Sequence, residues 1–121
     1  MTLFNFLLIF INTLILVTGQ FLWKFGMESK AHAFDSITAI IKMFLSPFIL
    51  SGLAMYGVAT VLWLFILTRV SLSIAYPIQS IAYVLAVFGA YFIFNEPLTI
   101  SKVMGCVLIM GGVSLIGFGN N

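Results

Sequence analysis

The charged side chains of this 121-residue sequence leave four long stretches that contain no Asp, Glu, Lys or Arg. These stretches are residues 1–23, 43–68, 70–95 and 103–121. Each is long enough to cross the hydrocarbon core of a bilayer, which takes about 20 helical residues. The sequence therefore predicts an all-α membrane protein whose single domain, residues 1–121, holds four transmembrane helices.

The composition supports this prediction and excludes several function classes. Hydrophobic residues make up 63% of the chain and charged residues 7%, whereas a typical globular domain carries about 25% charged residues. No room remains for a soluble catalytic domain, so we expect no enzyme and a function that resides in or between the helices. The net charge of +2 is scattered, which argues against nucleic acid as a partner. One Cys and one His make no metal-ligand set, and we expect no cofactor.

Prolines and short polar turns mark the expected ends of the helices. We predict spans over residues 3–25, 47–68, 72–94 and 98–118. A short amphipathic helix over residues 35–45 would either lie in the membrane interface or form the first turns of the second span.

Three residues carry specific expectations about helix geometry. Gly26 is expected to end the first span, and Pro97 is expected to begin the last one. Pro77 lies inside the third span, where it removes one backbone hydrogen bond and should bend the helix near residues 73–77.

The basic residues predict an orientation in the membrane. Lys24, Lys30, Lys42 and Lys102 fall on one side of a four-span protein, and Arg69 alone falls on the other. Since cytoplasmic loops carry an excess of Lys and Arg, we expect the lysines in the cytoplasm and both termini outside.

Small residues favour close helix contacts, because helices in lipid associate by packing rather than by hydrophobicity. They are Gly52 and Ala59 on the second span (with Tyr56 and Trp63 on the same face), Ala75, Ala82, Ala86 and Gly89 on the third, and Ser101, Gly105 and Gly112 on the fourth. Packing inside one four-helix unit accounts for most of these positions. Four short helices enclose little volume, however, so a solute pathway would more readily form between two such units.

Polar residues inside the spans are the first candidates for function. On the first helix, Asn12, Thr13, Gln20 and Lys24 fall within an arc of roughly 120° at 100° per residue. Two interpretations stay open. Gln20 can form a hydrogen bond between helices while Lys24 extends to the interface, or the stripe can bind a polar ligand.

The third helix carries a second polar face beside the Pro77 bend. Tyr76, Gln79, Ser80 and Tyr83 fall within an arc of roughly 100°. Hydroxyls and amides both donate and accept hydrogen bonds, so this face suits a sugar-like group. The alternative is hydrogen bonding between helices with an aromatic filler.

Acidic residues are scarce near the spans. Glu96 adjoins the last two spans, either as a charge that favours the positive helix end or as an ion-pair or gate residue. A proton-coupled exporter of cations normally needs a carboxylate inside the membrane, and no apolar run contains one. Lys24 offers a cation instead, for which a phosphate is the natural partner. The candidate substrate-binding residues are therefore Asn12, Gln20, Lys24, Tyr76, Gln79, Ser80, Tyr83 and Glu96.

Several short motifs together resemble a known family. They are Gly19-Gln20 followed by Lys24, Val61-Leu62-Trp63-Leu64, Ile74-Ala75-Tyr76-Pro77, Asn95-Glu96-Pro97 and Gly111-Gly112-Val113. Across roughly residues 15–118 the chain resembles the drug/metabolite transporter superfamily in its small, four-helix form. Within that superfamily it is most similar to the ArnE/ArnF family, the flippase subunits for aminoarabinose-phosphoundecaprenol in Gram-negative bacteria.

The resemblance implies a dimer of eight helices, made of two copies or of the chain with a similar four-helix partner. The implied substrate is an undecaprenyl-phosphate-linked monosaccharide that crosses the bacterial inner membrane from the cytoplasmic to the periplasmic leaflet. The residues that match the motifs are Gln20, Lys24, Tyr76, Pro77 and Glu96.

The resemblance also identifies two departures. Small multidrug resistance exporters belong to the same superfamily, and alignment on Gly19 and Lys24 puts their essential membrane glutamate at Leu16. That substitution argues against drug/proton antiport. Arg69 departs from the flippase subunits and inherits no role from them. Two alternatives stay open beside the flippase: an exporter of cationic or amphipathic compounds, and a non-transporting membrane subunit of a glycosyltransferase system.

Overall fold

The computed structural model describes residues 2–28, 32 and 34–119, and every regular element in those ranges is a helix. The six helices are α1 (Leu3–Glu28), α2 (Ile37–Phe44), α3 (Pro47–Leu67), α4 (Leu72–Gln79), α5 (Ile81–Phe94) and α6 (Ile100–Gly119). Four segments are long and apolar enough to cross a membrane, namely α1, α3, α6 and the combined α4–α5 segment Leu72–Phe94. The prediction of an all-α protein with four transmembrane helices is confirmed. Lys30, which contributes to the predicted orientation, lies outside the described residues.

The first span runs past the glycine that was expected to end it. α1 continues through Gly26 to Glu28, so that prediction is wrong. Gly26 is buried, and a Cβ atom built on it would lie 2.9 Å from the Phe48 Cβ and 3.1 Å from the Ile49 Cδ1. The glycine therefore lets α3 approach α1 closely and does not terminate the helix.

Two further glycines allow α1 and α3 to form the most extensive helix pair of the fold. A Cβ atom on Gly19 would lie 3.4 Å from the Gly52 carbonyl oxygen, and a Cβ atom on Gly52 would overlap the indole ring of Trp23. The Trp23 Nε1 donates a hydrogen bond to the Ile49 carbonyl oxygen at 3.1 Å. As in other membrane helix bundles, the small residues at this interface allow the two helix backbones to approach closely.

The short amphipathic helix predicted over residues 35–45 forms as α2, separate from α3. Ser36 caps its N-terminus, because the hydroxyl accepts a hydrogen bond from the Ala39 N–H at 3.1 Å. Met43 is buried in a small cluster with Ile49 of α3. Ile37, Ile41 and Phe44 of α2 stay exposed, which is the arrangement that an interfacial helix requires.

The third span is interrupted at Ser80, which separates α4 from α5. Pro77 has no backbone N–H to donate. Two hydrogen bonds of the 3₁₀ type follow it, from the Ser80 N–H to the Pro77 carbonyl oxygen and from the Tyr83 N–H to the Ser80 carbonyl oxygen, each at 3.0 Å. The break therefore lies just after the proline, whereas the sequence predicted a bend over residues 73–77.

A short turn joins α3 to α4 and is tied to the start of α1. Val70 is buried in the core, and the Arg69 Nε donates a hydrogen bond to the Asn5 Oδ1 at 2.9 Å. The guanidinium carbon lies 5.1 Å from the ring centroid of Phe4 and 5.7 Å from that of Phe65. Arg69 thus holds this turn against α1.

The last span, α6, begins at Ile100 and not at Pro97, so that prediction is wrong. It buries only Cys106 and Val113. A Cβ atom built on Gly105 or Gly112 would meet no atom of a neighbouring helix within 4 Å among the described residues. Ser101 is exposed as well. The small-residue face of α6, defined as Ser101, Gly105 and Gly112, therefore has open space beside both of its glycines.

Candidate functional site

Two adjoining cavities lie between α1 and the α4–α5 segment. The larger has a volume of about 510 Å³ and the smaller about 350 Å³. Gln20 and Ala86 line both of them, so the two cavities are neighbours, and together they are called the groove below. The polar lining of its larger part is Gln20, Tyr56, Tyr76, Gln79, Ser80 and Tyr83, and that of its smaller part is Gln20, Lys24, Glu96 and Lys102.

The larger part of the groove presents three phenol groups, one each from α3, α4 and α5. Tyr56 is 46% exposed, and Tyr76 and Tyr83 are each 64% exposed, so the groove is open along one side of the chain. The Tyr76 ring lies edge-on to the Trp63 ring, with centroids 6.3 Å apart. The three hydroxyls form no hydrogen bond within the described residues. They remain able to donate to and accept from a polar ligand.

Three charged side chains line the smaller part of the groove. Lys24 from α1, Glu96 from the α5–α6 turn and Lys102 from α6 all line it. Among the described residues, the one ion pair within 4.0 Å joins His32 to Asp35, outside the groove. Lys102 Nζ donates a hydrogen bond to the Pro97 carbonyl oxygen at 2.8 Å. This end of the groove therefore contains two ammonium groups and one carboxylate, and neither ammonium group forms an ion pair with the carboxylate.

Two of the predicted site residues form a hydrogen-bonded link between helices. The Asn12 side chain is fully buried, and its Nδ2 donates to the Ala59 carbonyl oxygen at 2.6 Å. The Gln79 Nε2 donates to the Asn12 Oδ1 at 2.6 Å. Asn12 lines neither part of the groove, so the structure does not bring it to the candidate site. Burial explains this, since a fully buried amide satisfies its hydrogen bonds inside the fold.

The other predicted residues do line the groove, with different freedom to bind a ligand. Gln79 lines it while its amide nitrogen is bonded to Asn12, and the Ser80 hydroxyl donates to the Pro77 carbonyl oxygen. Gln20 and Lys24, by contrast, make no hydrogen bond or ion pair within the described residues. Their substrate-binding roles stay predictions, as do those of the tyrosines and Glu96.

Sequence reasoning missed two lining residues, Tyr56 and Lys102. Tyr56 was assigned to a packing face because it shares a side of α3 with Gly52 and Ala59. A phenol in the middle of a span is a polar signal in its own right. Lys102 lies six residues after Glu96 in the sequence, and that proximity was the available signal.

Four apolar spans around a polar-lined groove define a multi-pass membrane protein of the transporter type. A sequence profile of the EamA-like transporter family matches residues 1–118, and the chain belongs to that family. Membership of a transporter family agrees with the prediction that the chain is not an enzyme.

Curated relatives identify the part of the family that this chain resembles. A Pseudomonas aeruginosa protein (strain LESB58) is 34% identical over 100 residues, which are 82% of this chain and 84% of the relative. A Sodalis glossinidius protein is 30% identical over 112 residues, 93% of this chain and 96% of the relative. A Pseudomonas fluorescens protein is 36% identical over 72 residues, and that match spans 63% of its length. All three are described as probable 4-amino-4-deoxy-L-arabinose-phosphoundecaprenol flippase subunits, ArnE.

The relatives' names confirm the resemblance drawn from the sequence motifs. No solved structure matches the chain.

Proposed function

We propose that the chain is a flippase, or one subunit of a flippase, that moves an undecaprenyl-phosphate-linked monosaccharide across the bacterial inner membrane. The observation that carries the proposal is the groove, which has the Lys24 amine at one end and tyrosine hydroxyls toward the other. No acidic residue lines its larger part. The relatives' description as flippase subunits for an aminoarabinose-phosphoundecaprenol supports the same substrate class.

The groove lowers the barrier that a sugar phosphate meets in a bilayer. A polar group that enters hydrocarbon without hydrogen bonds costs several kcal/mol, and a charged group costs more. In the proposed mechanism, Lys24 holds the phosphate by a charge-assisted hydrogen bond. The sugar hydroxyls exchange water for Gln20, Tyr76 and Tyr83, whose side chains are exposed in the groove. No covalent bond forms or breaks.

The open side of the groove suits a substrate with a long lipid tail. Because Tyr76 and Tyr83 face outward, the head group can occupy the groove while the polyprenyl chain stays in the surrounding bilayer. The lysine-rich end is proposed to face the cytoplasm, in keeping with the charge bias. The substrate would then enter beside Lys24 and leave toward Tyr76.

A second four-helix unit is part of the proposal. The small-residue face of α6 has open space beside Gly105 and Gly112, and such faces favour helix contacts in lipid. The relatives are described as subunits. We therefore expect an assembly of eight helices, either a homodimer or a pair with a similar protein.

Reconstitution tests the proposal. The purified chain is placed in liposomes, alone and with a second four-helix relative from the same genome. Transbilayer movement is measured for an undecaprenyl-phosphate-linked monosaccharide and, in parallel, for a quaternary ammonium compound under a proton gradient. Movement of the lipid-linked sugar alone is the expected result. Movement of the cation alone would support the exporter alternative, and movement of neither in both preparations would favour a non-transporting subunit.

A further inference from the structure

The charged end of the groove contains opposite charges that do not neutralise each other by contact. Glu96 and Lys24 line the same cavity of about 350 Å³, and Lys102 lines it as well. No ion pair within 4.0 Å joins any of these three among the described residues. Oppositely charged groups that share a small cavity without touching are placed to meet a ligand that carries both charges.

The backbone that carries Glu96 is held by its own hydrogen bonds. Asn95 adopts the left-handed conformation with φ 57°, and the Glu96 N–H donates to the Ala90 carbonyl oxygen at 3.1 Å. Pro97 follows, with a fixed backbone angle of its own and with its carbonyl oxygen bound by Lys102 at 2.8 Å. Glu96 is thus presented from a turn whose backbone is hydrogen-bonded at Glu96 itself and at the next residue.

We infer that Glu96 is a specificity-determining residue, whose carboxylate binds a cationic amine on the sugar while Lys24 binds the phosphate. The inference rests on the proposed function and adds to it the residue that distinguishes an amino sugar from a neutral one. A carboxylate and an ammonium ion form a charge-assisted hydrogen bond, whereas a hydroxyl in the same place forms a weaker neutral one. A neutral sugar would also leave the carboxylate partly desolvated and without a cation.

The expected discrimination follows from those differences. Hydrogen bonds to charged groups contribute about 1.5–3 kcal/mol, so the amine should favour transport by about tenfold or more. Lys102 adds a second positive charge near the phosphate end, so the cavity keeps a net attraction for the anion even with Glu96 present. Amine and phosphate are therefore recognised by separate groups.

The test uses two substrates that differ at one position of the sugar. Both are undecaprenyl-phosphate-linked pentoses, one with an amine and the other with a hydroxyl at the same carbon. Transbilayer movement of each is measured in liposomes that contain the native protein, the Glu96→Gln variant or the Glu28→Gln variant. Glu28 is an exposed glutamate at the end of α1 that also carries Lys24, and it lines neither part of the groove, so it is the matched control.

We expect the native protein and Glu28→Gln to move the amino sugar about tenfold faster than the hydroxyl sugar. Glu96→Gln should slow the amino sugar and also relieve the unpaired carboxylate that the hydroxyl sugar meets, so the ratio of the two rates should fall from about tenfold toward one. A Glu96→Asp variant, which keeps the charge, should retain part of the preference even if Glu96→Gln folds poorly. Equal slowing of both substrates by Glu96→Gln and Glu96→Asp would show a merely structural role and overturn the inference.

The same experiment separates this inference from the proposed function. If the native protein moves both sugars equally well and Glu96→Gln does not alter their ratio, the flippase proposal stands and the role of Glu96 is wrong. If the native protein moves neither sugar, with or without a partner subunit, the proposed function fails and the inference fails with it.

Discussion

Gln79 on α4 donates a hydrogen bond to Asn12 on α1, with the Nε2 atom 2.6 Å from the Oδ1 atom. Asn12 in turn donates to the Ala59 carbonyl oxygen of α3. One fully buried amide therefore joins three membrane spans, immediately beside the helix break at Ser80. Because Gln79 also lines the groove, this link fixes one wall of the candidate site.

Replacement of Asn12 by Leu should destabilise the fold without removing a ligand contact. Two interhelical hydrogen bonds are lost, and hydrogen bonds between membrane helices contribute about 0.6–2 kcal/mol each. Thermal unfolding in detergent measures the effect. Thr18→Val is the control, because the Thr18 hydroxyl is exposed and bonds only to Leu14 of its own helix. Equal melting temperatures for the two variants would contradict the role of Asn12.

The glycine contacts between α1 and α3 predict a position-specific effect of a single methyl group. Gly52→Ala places a Cβ atom against the Trp23 indole and should cost about 1–3 kcal/mol, as overpacking generally does. Gly57→Ala on the same helix has nothing within 4 Å of its Cβ and should be neutral or slightly stabilising. Unfolding monitored by tryptophan fluorescence distinguishes the two. If the variants unfold alike, the packing described for α1 and α3 is incorrect.

Arg69 and Asn5 should behave as a coupled pair in stability measurements. Arg69→Gln and Asn5→Ala each break the same hydrogen bond at the α3–α4 turn, so the double variant should lose less stability than the sum of the two. Coupling energies of about 0.5–3 kcal/mol are usual for residues in contact. A double-mutant cycle on the detergent-solubilised protein measures the coupling. Strict additivity would show that the turn does not depend on this contact.

Removal of groove hydroxyls should slow transport and leave stability unchanged. Tyr76→Phe and Tyr83→Phe remove groups that bond to no described residue, so neither should lower the melting temperature. Each should slow movement of a lipid-linked sugar by about fivefold, the equivalent of one lost hydrogen bond. Tyr91→Phe, which lies outside the groove, is the control. Unaltered transport in both groove variants would indicate that the sugar does not pass this face.

Much of the fold could be predicted because charge placement and hydrophobic length decide it. Four apolar runs gave four spans, and Ser36 before an amphipathic stretch gave the short α2 helix. The role of Gly26 could not be predicted from the neighbouring sequence, since a glycine near a helix end can either terminate the helix or allow another helix to pack closely against it. Only the position of Phe48 on α3 decides between them.

The candidate site was harder to predict because angular position on one helix does not determine burial. Asn12 and Gln20 lie on the same polar stripe of α1, yet Asn12 is fully buried and Gln20 is exposed in the groove. The difference arises from α3, which covers Asn12 through Ala59. The membership of Lys102 in the groove likewise depends on how α6 packs beside α5, which no single-helix pattern encodes.

In the proposed mechanism, the Lys24 ammonium group binds the phosphate of a lipid-linked sugar inside the groove. Transbilayer movement of an undecaprenyl-phosphate-linked monosaccharide is compared in liposomes with Lys24→Ala and with Lys42→Ala. Lys42 is an exposed lysine of α2 that lines neither part of the groove. We predict that Lys24→Ala slows movement by about tenfold or more, the loss of one charge-assisted hydrogen bond, while Lys42→Ala moves the lipid at the native rate. Native-rate movement by Lys24→Ala, in protein of unchanged melting temperature, would contradict the account.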